Sequence, residues 1–553
     1  MAVVVTTTMA MLGAMAMCGV SVRTVGSSAP GSDMFTALSD LQAAVSSEKR
    51  LVQKLGEYLS LEEARLEHLR RFLNKVQRAH ERAYDARVAG TEGAVPTNPL
   101  DAFGLIKRLH LEWARVVHSP AADDNMRVLE ESYAEGPVPG AVDLEGAARA
   151  LMRAQDVYAL DTRALAAGRF RSQAPSLALG ATVAARLSAD DCFHLGKVAY
   201  EEGDWYHSLP WLELSALGFR ARRGSPRRLE DHASMVDALD HLAFTHFKIG
   251  NIQKAMNLSA ELLSYEPAHQ RVLKNLQKYV KMLGSAGERE VAPSPVGRPR
   301  STHPRTRDAY EYLCRTHGNQ RYAYRDPRFG CSYEDNGSPL LRLQPVKQEL
   351  LSLRPRVLLF HDFVRDHETE RIKQLAAPML QRSVVASSGQ QTTVSYRISK
   401  SAWLKQEQDA VIRRLDRRVA AITGLDTGPQ HAEQLQVSNY GIAGHYEPHY
   451  DHATSENSSL YRMPAGNRVA SILIYLSSVE VGGSTAFIYK NFSVPVIKNA
   501  AVFWWNLKRS GEADGDTLHA GCPVLVGNKW VANKWVRAFG QEFCRPCSLD
   551  PRE

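Results

Sequence analysis

The chain has 553 residues, of which 44% are hydrophobic and 23% are charged, and its formal net charge is +8. A chain of this length exceeds what one hydrophobic core supports, so we expect about three or four domains. The composition is that of an ordinary globular protein, and so small a positive excess does not indicate a nucleic-acid partner. The sequence contains no aromatic–basic RNA-binding motif and no DNA-binding module, which argues against nucleic-acid-binding classes.

The N-terminal segment contains "VVVTTTMAMLGAMAMCGVSV", an apolar run without charges that polar residues follow. Thr and Gly interrupt this run too often for a membrane-spanning helix, so the pattern predicts a signal peptide over residues 1–29. A frayed tail is the alternative, because no Lys or Arg precedes the run. No later stretch is apolar enough to span a membrane. The C-terminal "SLDPRE" has no retention tetrapeptide, so residence in the secretory pathway would require a retained partner.

The chain has seven cysteines. Its single CxxC motif has no second CxxC at the spacing of a zinc site, so in an oxidising lumen disulfides are a better interpretation than a zinc site. Cys314 and Cys331 flank a loop rich in Gly, Tyr and Arg, whereas Cys522 has two candidate partners, Cys544 and Cys547. Asn-X-Ser sequons predict glycan sites at four positions, Asn257, Asn336, Asn457 and Asn491.

Residues 30–170 are predicted to be a helical, coiled-coil dimerisation domain. Leucines recur at three- and four-residue spacing through residues 35–80, with charged residues between them. This stripe fits an intermolecular coiled coil and a bundle helix equally well. The segments "NPLDAFGLIKRLHLEW" and "DLEGAARALMRAQDVYAL" predict two further helices.

Residues 188–284 predict paired short helices of the tetratricopeptide-like (TPR-like) type. The segment "FHLGKVAYEEGDWYHSLPWLELSAL" is repeated in pattern by "LDHLAFTHFKIGNIQKAMNLSAELLSYEP", with corresponding turns at Gly203-Asp204 and Gly250-Asn251. Two units are fewer than an independent solenoid needs, so a flanking helix is expected to complete the stack. Residues 285–339, rich in Pro, Gly and Arg, are predicted to be a linker that carries the Cys314–Cys331 loop.

Residues 340–548 predict many short strands, such as "RVASILIYLS" and "AAVFWWNL", separated by Gly and Asn turns. So many strands in about two hundred residues are typical of a jelly-roll or related double sheet. The predicted fold is therefore multidomain, with all-α N-terminal and TPR-like domains followed by a jelly-roll.

The strand-rich region contains "HYEPHYDH", in which His449 and Asp451 are separated by one residue. On a strand this spacing puts both side chains on one face. One imidazole and one carboxylate are two thirds of the facial triad that binds non-haem iron(II). The third ligand must be a histidine on another strand, and beyond the adjacent His452 the only histidine downstream is His519. A lone histidine is more often a core or surface residue, and His445 and His452 are interpreted in that way.

A facial triad leaves three coordination positions open, which an oxygenase fills with a chelating oxo-acid and O2. The second carboxylate of such an oxo-acid requires a cation. Lys529 lies ten residues after His519, where an inward-pointing side chain would supply that charge. A solvated turn lysine beside Asn528 is an equally good interpretation of the spacing alone.

Several segments together resemble the catalytic domain of the collagen prolyl 4-hydroxylase α subunits: "QVSNYGIAGHYEPHYDHA", "GNRVASILIYLSSVEVGGSTAFI", "AVFWWNL" and "HAGCPVLVGNKWVANKW". The resemblance continues through "EYLSLEEARLEHLRRF", "DLEGAARALMRAQDVY" and "YRISKSAWL", and thus covers almost the whole chain after the predicted signal peptide. Within the family, "FHLGKVAY" and "SSVEVGGSTAFIY" are most similar to the third-isoform group.

This resemblance implies iron(II), 2-oxoglutarate, O2 and L-ascorbate as cofactors and co-substrates. It implies a double-stranded β-helix, an α2β2 tetramer with protein disulfide isomerase as the β subunit, and the lumen of the endoplasmic reticulum. The implied reaction converts peptidyl proline in collagen-like X-Pro-Gly sequences of procollagen chains to 4-hydroxyproline, while 2-oxoglutarate becomes succinate and CO2. The product stabilises the collagen triple helix. Hydroxylation of non-collagen proline-rich proteins is the alternative that the metal motif leaves open.

Position by position, the resemblance implies that His449, Asp451 and His519 bind iron and that Lys529 binds the distal carboxylate of 2-oxoglutarate. Two further positions match residues near that co-substrate, Tyr440 and Thr485. The residues implied to line the substrate grooves are Arg468, Tyr446, Glu433, Arg397, Ser399, Trp535, Arg271, Asn275, Phe244 and Phe247. The family's disulfides imply the pairs Cys314–Cys331 and Cys522–Cys547.

The chain departs from the family pattern at three places. Arg537 stands where a histidine often follows the "NKWVANKW" segment, and Cys544 stands where an arginine is usual. In the helical repeat, three positions that carry peptide-binding tyrosines in the family are His241, Phe244 and Phe247. Because phenylalanine cannot donate a hydrogen bond to a peptide carbonyl, we expect a weaker or altered preference for poly-proline segments.

Overall fold

The structure is a computed structural model. It describes residues 60, 63–81, 98–117, 141–174, 184–224, 228, 231–285, 296–298, 304–316, 328–387, 390–393, 396–441, 443–455, 458, 461 and 463–550. The predicted signal peptide, the first part of the leucine stripe and the sequon at Asn457 lie outside these residues.

The N-terminal part of the described chain is helical, as the sequence predicts. Asn98 begins one helix by accepting a hydrogen bond from the backbone nitrogen of Asp101, and Pro99 occupies its first turn, where no amide donor is needed. The helices of this part are α1 (63–81), α2 (Pro99–Lys107, continued by a π-helical turn at Arg108–Glu112), α3 (Trp113–Val117), α4 (Ala141–Tyr158) and α5 (Thr162–Ala166).

The TPR-like region consists of two helix pairs and a flanking helix, which confirms the predicted stack. Ser188 and Ser234 begin the first helix of each pair with the same capping box, and Asp204 and Asn251 cap the second helix of each pair. The turns before these second helices contain glycines with positive φ, at +73° and +86°. The five helices are α6 (Ala189–Glu201), α7 (Trp205–Ala221), α8 (Met235–Lys248), α9 (Ile252–Tyr265) and α10 (Gln270–Ser285).

The C-terminal region is built mainly of short strands, with four helices before and among them. The helices are α11 (Pro304–Arg315), α12 (Pro339–Arg342), α13 (Asp366–Ala376) and α14 (Ala410–Thr423). The strands are β1 (Cys331–Glu334), β2 (Val346–Leu353), β3 (Arg356–His361), β4 (Gln381–Arg382), β5 (Val384–Ser387), β6 (Gln390–Thr393), β7 (Ser399–Leu404), β8 (Leu435–Tyr440), β9 (Tyr446–His449), β10 (Arg468–Tyr475), β11 (Val479–Gly482), β12 (Thr485–Phe487), β13 (Phe492–Val494), β14 (Ala501–Trp505), β15 (His519–Gly521), β16 (Val524–Gly527) and β17 (Trp530–Arg537).

Two antiparallel sheets form the jelly-roll that the sequence predicts. Among the described residues, the major sheet has the order β1-β2-β3-β14-β10-β17-β8-β7-β4, and the minor sheet has the order β13-β12-β15-β9. Buried apolar side chains such as Tyr475, Phe487, Phe492 and Trp504 fill the space between the two sheets. A second core, which includes Ile372 and Leu415, packs α13 and α14 on the outer face of the major sheet.

The segment predicted to be a linker contains structure that the composition did not reveal. Helix α11 packs against α4 and against the minor sheet, where Tyr310 and Cys314 join a core that includes Ala520 and Cys522. The Tyr310 side chain is buried there. The helix therefore joins the helical part of the chain to the back of the jelly-roll.

The predicted disulfide pairs are wrong in this structure. Cys314 on α11 pairs instead with Cys522, whose Cα lies 5.5 Å away although 208 positions separate the two in sequence. The physical reason is that α11 buries Cys314 against the residue that follows β15, whereas Cys331 and Cys547 are exposed elsewhere. Cys544 is also exposed and does not compete for Cys522, and the buried Cys192 is a free thiol.

No helix among the described residues is long and apolar enough to cross a membrane.

Candidate active site

Two strands of the minor sheet bring the predicted metal ligands together. His449 ends β9, His519 begins β15, and the two lie directly opposite each other in the antiparallel pair. Asp451 lies two residues beyond β9, in a turn instead of on the strand itself. One ligand atom from each of these three residues lies within 4.8 Å of the others. The distant His519 thus completes the cluster that "HYEPHYDH" begins.

Hydrogen bonds orient both imidazoles toward the carboxylate. His449 donates from Nδ1 to the Glu447 carbonyl at 2.8 Å, and His519 donates from Nδ1 to the Thr517 carbonyl at 2.9 Å. Because each Nδ1 carries the proton, each Nε2 presents a lone pair. The two Nε2 atoms each lie 3.8 Å from a carboxylate oxygen of Asp451. Two nitrogens and one oxygen in this arrangement fit iron(II).

Burial sets the ionisation of the cluster. Burial and the neighbouring His519 lower the pKa of His449 to about 3, which keeps that imidazole neutral. Burial opposes ionisation of Asp451, but His519, His449 and Arg468 outweigh it and lower the pKa of the carboxyl to about 2. A carboxylate beside a neutral imidazole is the state that binds a divalent cation.

A chain of hydrogen bonds holds Asp451 in place from the major sheet. Ser471 on β10 donates to Asp451 Oδ2 at 2.6 Å and accepts a bond from the Asn506 amide at 2.8 Å. Trp504 donates in turn to Asn506 at 2.9 Å. The indole of Trp504 also contacts the ring of His519, with centroids 4.8 Å apart. The sequence analysis did not include Ser471 or Asn506, because their role depends on register between strands.

Lys529 is buried, and the interpretation of a solvated turn lysine is therefore wrong. The residue immediately precedes β17 in the major sheet, and its Nζ donates to the Gly483 carbonyl at 2.6 Å. Gly483 lies just before β12 of the minor sheet, so the side chain crosses the space between the sheets. Burial lowers the pKa of Lys529 to about 7. Its side chain is 1% exposed.

Tyr440 lies beside Lys529, and Thr485 lies on β12 next to the strand that contains His519. The Lys529 ammonium lies 4.7 Å from the centre of the Tyr440 ring. Thr485 is buried on β12 and shares a 2.8 Å hydrogen bond with the Tyr475 hydroxyl. Thr485 also pairs with Gly521, two residues beyond His519 on β15. Of the two predicted co-substrate residues, Tyr440 thus lies at the lysine, and Thr485 lies on the strand that pairs with the strand of His519.

Arg468, Glu433 and Trp535 form a second polar cluster beside Asp451. Glu433 accepts two bonds from the Arg468 guanidinium, at 2.6 and 2.8 Å. Arg468 lies over the Trp535 ring at 3.8 Å and donates to the Asp451 carbonyl at 3.2 Å. Arg537, the departure from the family pattern, is buried and also contacts Glu433, at 2.6 Å.

Arg397, Ser399 and Tyr446 form another group of predicted groove residues, which contacts the metal cluster through Tyr446. The ring of Tyr446 stacks on that of His449, with centroids 3.5 Å apart, and the Arg397 guanidinium lies 4.8 Å from the Tyr446 ring centre. Arg397 is buried and donates to Gln436 at 3.1 Å and to Ser399 at 3.3 Å. The six predicted groove residues of the jelly-roll therefore form two groups that flank the metal cluster.

His445 and His452 do not join the cluster, in agreement with the prediction. Both side chains are buried, and the Nδ1 atom of each has no hydrogen-bond partner among the described residues. Burial lowers the pKa of each to about 4.

The helical region contains a continuous series of aromatic rings. Tyr200 contacts His241 with centroids at 4.8 Å and Phe244 at 5.7 Å, Phe244 contacts Phe247 at 5.7 Å, and Phe247 contacts Tyr279 at 5.1 Å. Lys278 lies 4.5 Å from the centre of the Phe247 ring. Such rings, with cations above them, form a surface on which prolines can stack.

Two of the predicted groove residues, Arg271 and Asn275, lie on α10. Arg271 is exposed and forms an ion pair with the buried Asp240, which neutralises its charge. Asn275 is partly buried on the same helix. The sequence analysis missed Tyr279, which is 1% exposed and whose hydroxyl has no hydrogen-bond partner among the described residues. Tyr279 lies four residues after Asn275 and eight after Arg271, so the three residues share one face of the helix. This spacing is the signal that could have identified Tyr279.

Family models match three parts of the chain in the order of the observed regions. Residues 37–172 match the prolyl 4-hydroxylase α-subunit N-terminal region, residues 189–285 match the prolyl 4-hydroxylase peptide-substrate-binding domain, and residues 435–537 match the 2OG-Fe(II) oxygenase superfamily. Prolyl 4-hydroxylase subunit alpha-3 of Bos taurus is 55% identical over 94% of this chain and 95% of its own length. The chain belongs to the prolyl 4-hydroxylase α-subunit family.

Other members of this family are also similar over nearly their whole length. Prolyl 4-hydroxylase subunit alpha-1 of Homo sapiens is 37% identical over 94% of this chain and 96% of its own length. Among solved structures, the viral collagen prolyl hydroxylase of Paramecium Bursaria Chlorella virus-1 is 24% identical and covers 33% of this chain and 96% of its own chain, with a TM-score of 0.27.

Membership in the family makes this chain a 2-oxoglutarate-dependent dioxygenase that hydroxylates proline with iron(II) and O2. The resemblance seen in the sequence is confirmed, and so are the fold class and these cofactors.

Proposed function

We propose that this α subunit hydroxylates C4 of proline in collagen-like X-Pro-Gly sequences of procollagen chains, and so stabilises the collagen triple helix. We further propose that it does so in the lumen of the endoplasmic reticulum, as an α2β2 tetramer with protein disulfide isomerase, and that L-ascorbate sustains turnover. The observation that carries the proposal is the cluster of His449, Asp451 and His519 with Lys529 buried nearby.

We assign iron(II) to His449, Asp451 and His519. When bound, the iron supplies the redox chemistry that couples decarboxylation of 2-oxoglutarate to hydroxylation of an unactivated C–H bond. The chain itself fixes all three ligands there. The two Nδ1–H bonds to main-chain carbonyls fix both imidazoles, and Ser471 fixes the carboxylate.

We assign the distal carboxylate of 2-oxoglutarate to Lys529. Within hydrogen-bond distance, Lys529 Nζ has a main-chain carbonyl but no carboxylate among the described residues, so an incoming carboxylate would supply the missing counter-charge. The bound carboxylate would raise the pKa of Lys529 and keep the amine protonated. Tyr440 and Thr485 would form the walls of this site, where the buried Thr485 and the partly buried Tyr440 exclude water.

We assign the acceptor peptide to the two polar groups beside the metal cluster and to the aromatic surface on the helices. Arg468 with Trp535, and Arg397 with Tyr446, each present a guanidinium and an aromatic ring. A guanidinium donates to peptide carbonyls, and an aromatic face accepts a proline ring. On the helical surface, His241, Phe244 and Phe247 supply rings without hydroxyl groups, so we expect binding there to rest on stacking.

Assembly is proposed from the exposed leucines of α1. Leu66 and Leu73 of α1 are 45% and 53% exposed, as expected of a stripe that a second chain covers.

The test is to co-express the chain with protein disulfide isomerase and to measure decarboxylation of 2-oxoglutarate with and without a (Pro-Pro-Gly) repeat peptide. The proposal predicts that the peptide stimulates decarboxylation and acquires 4-hydroxyproline. A proline-rich peptide without the Gly repeat is the matched control. Equal or faster hydroxylation of that control would favour non-collagen secretory proteins as substrates, and no hydroxylation of either peptide would contradict the proposal.

A further inference from the structure

A cavity of about 480 Å³ lies where the helical part of the chain meets the minor sheet. Helix α4, helix α11 and the segment that contains β9 each supply part of its wall. Its volume is in the range of small-molecule binding sites. Among the described residues that line it, none is a metal ligand, and Lys529 does not line it either. The cavity is therefore separate from the site assigned to iron and 2-oxoglutarate.

Two carboxylates on the helical side of the cavity already have cations beside them. Arg298 Nε lies 2.9 Å from an oxygen of Asp156 on α4, and Arg298 Nη1 donates to Glu311 on α11 at 2.6 Å. Arg315 also donates to Glu311, at 3.1 Å. Because these charges compensate one another within the protein, they do not call for a charged ligand.

Glu447 on β9 supplies a third carboxylate, from the strand side of the cavity. Its side chain is 58% exposed, and the imidazole within 4 Å of it among the described residues is that of His445, whose Nε2 lies 3.8 Å away. That distance is longer than a hydrogen bond. Burial lowers the pKa of His445 to about 4, so the imidazole is neutral near pH 7. The carboxylate of Glu447 can thus accept a cation from a ligand.

Arg153 supplies a positive charge from α4. Its Nε and Nη2 donate to the Ala443 carbonyl at 3.2 and 3.0 Å, which fixes the guanidinium against the segment before β9. Burial lowers the pKa of Arg153 to about 10, although Tyr310 and Glu447 partly offset this effect. A ligand carboxylate beside Arg153 would stabilise the buried guanidinium further.

Apolar side chains form much of the remaining wall. Val157 of α4, Tyr310 of α11 and Leu518 before β15 are buried. Tyr450 is partly buried, and its hydroxyl donates to the Gly515 carbonyl at 3.0 Å. Such a wall shelters the apolar body of a small ligand, while the two charged groups fix its orientation.

We propose that this cavity binds a zwitterion of the amino-acid type with an apolar side chain. The carboxylate of the ligand pairs with Arg153, and its ammonium group pairs with Glu447. The side chain of the ligand packs against Tyr310, Tyr450 and Leu518. A simple organic anion would lack the pairing with Glu447 and be repelled by its carboxylate, and a simple organic cation would be repelled by Arg153 in the same way.

The test measures the dissociation constants of three probes by ligand-observed NMR titration of the chain co-expressed with protein disulfide isomerase. The probes are L-phenylalanine, phenylacetate, which lacks the ammonium group, and phenethylamine, which lacks the carboxylate. We expect L-phenylalanine to bind at least about tenfold more tightly than either of the others, since a hydrogen bond to a charged group contributes roughly 1.5–3 kcal/mol. Equal affinity for all three probes would overturn the proposal. Equal binding of L-phenylalanine by protein disulfide isomerase alone would overturn it as well.

Two substitutions should remove the two halves of this preference separately. Glu447→Gln should abolish the preference for L-phenylalanine over phenylacetate and keep that over phenethylamine, and Arg153→Met should do the reverse. Arg153→Lys retains the charge and should keep most of both preferences, which maintains the test if Arg153→Met does not fold. Glu480→Gln, an exposed carboxylate on β11, is the matched control and should change no affinity. Unchanged preferences in Glu447→Gln would contradict the assignment.

A last arm separates this cavity from the co-substrate site. The L-phenylalanine titration is repeated with Mn²⁺ and saturating 2-oxoglutarate, and again with Lys529→Ala. We expect the dissociation constant to stay within about twofold in both cases, because neither Lys529 nor a metal ligand lines the cavity. Displacement of L-phenylalanine by 2-oxoglutarate would place the probe at the metal site and overturn the proposal. These measurements need no turnover, so their outcome is independent of the proposed function.

Discussion

The jelly-roll and the helical surface hold their charges in opposite ways. In the jelly-roll, Asp451, Lys529 and Arg468 are buried or nearly so, and each has a fixed hydrogen-bond partner. On the helical surface, Lys248 and Lys278 lie over aromatic rings at 5.4 and 4.5 Å. Fixed buried charges suit a reaction whose geometry must not vary, whereas cations over rings suit binding of many similar peptide repeats.

The metal cluster should give the largest effect of any single substitution. His519→Ala removes a nitrogen ligand, and turnover should fall by more than about a hundredfold, since even the loss of an outer hydrogen-bond partner of a metal ligand costs roughly ten- to a hundredfold. The measurement is kcat with saturating iron, together with Mn²⁺ binding. His445→Ala, a buried histidine outside the cluster, is the control, and it should retain most of the activity. Retained turnover in His519→Ala would remove that residue from the metal site.

Lys529→Ala should separate co-substrate binding from metal binding. The substitution removes the partner of a buried carboxylate, an effect of roughly 2–5 kcal/mol for charge pairs of this kind, so the KM for 2-oxoglutarate should rise at least about thirtyfold. Mn²⁺ affinity should stay within about twofold, because Lys529 is not a ligand. Lys400→Ala, an exposed lysine on β7, is the control. An unchanged KM for 2-oxoglutarate would contradict the role of Lys529.

The depressed pKa of Lys529 predicts a pH dependence of co-substrate binding. Its pKa of about 7 means that the free enzyme loses this charge as the pH rises above 7, while the bound carboxylate requires it. The KM for 2-oxoglutarate should therefore be constant below pH 7 and rise about tenfold per pH unit above it. Comparison with the Lys529→Arg variant, which stays charged, provides the control. Parallel pH profiles of the two enzymes would show that the titrating group lies elsewhere.

The helical surface should show a smaller effect that is confined to the peptide. Phe247→Ala removes a ring that contacts both Phe244 and Tyr279. We expect a three- to tenfold weaker affinity for long proline-rich peptides, from the loss of about 1 kcal/mol of stacking. The KM for 2-oxoglutarate should not change. Leu217→Ala, an exposed position on α7, is the matched control. An equal effect on short and long peptides would place the contact in the jelly-roll instead.

The sequence predicted those parts of the fold that depend on local pattern. The glycine turns at Gly203 and Gly250 and the strand alternation after residue 340 both have local causes, and the structure contains both. The spacing of His449 and Asp451 identified half of the metal cluster, although Asp451 lies in the turn after β9. A two-residue spacing does not distinguish a strand from the turn that follows it.

The features that the sequence did not predict depend on contacts between distant segments. The Cys314–Cys522 pair requires α11 to pack behind β15, and the composition of the surrounding segment indicated a linker. The burial of Lys529 follows from the register of β17 against β8, which no local pattern specifies. The contact of Arg537 with Glu433 is of the same kind, because 104 positions separate the two residues, and it was visible in the sequence only as a departure from the family.

The most direct test of the account is the stoichiometry of the reaction with a (Pro-Pro-Gly) peptide. The measurement counts succinate and 4-hydroxyproline formed by the chain co-expressed with protein disulfide isomerase, with iron(II) and 2-oxoglutarate supplied and ascorbate present. We expect the wild type to form one succinate for each 4-hydroxyproline, and His519→Ala to form neither product. Formation of 4-hydroxyproline by His519→Ala would contradict the metal assignment. Formation of succinate by the wild type without any 4-hydroxyproline on the (Pro-Pro-Gly) peptide would contradict the proposed reaction.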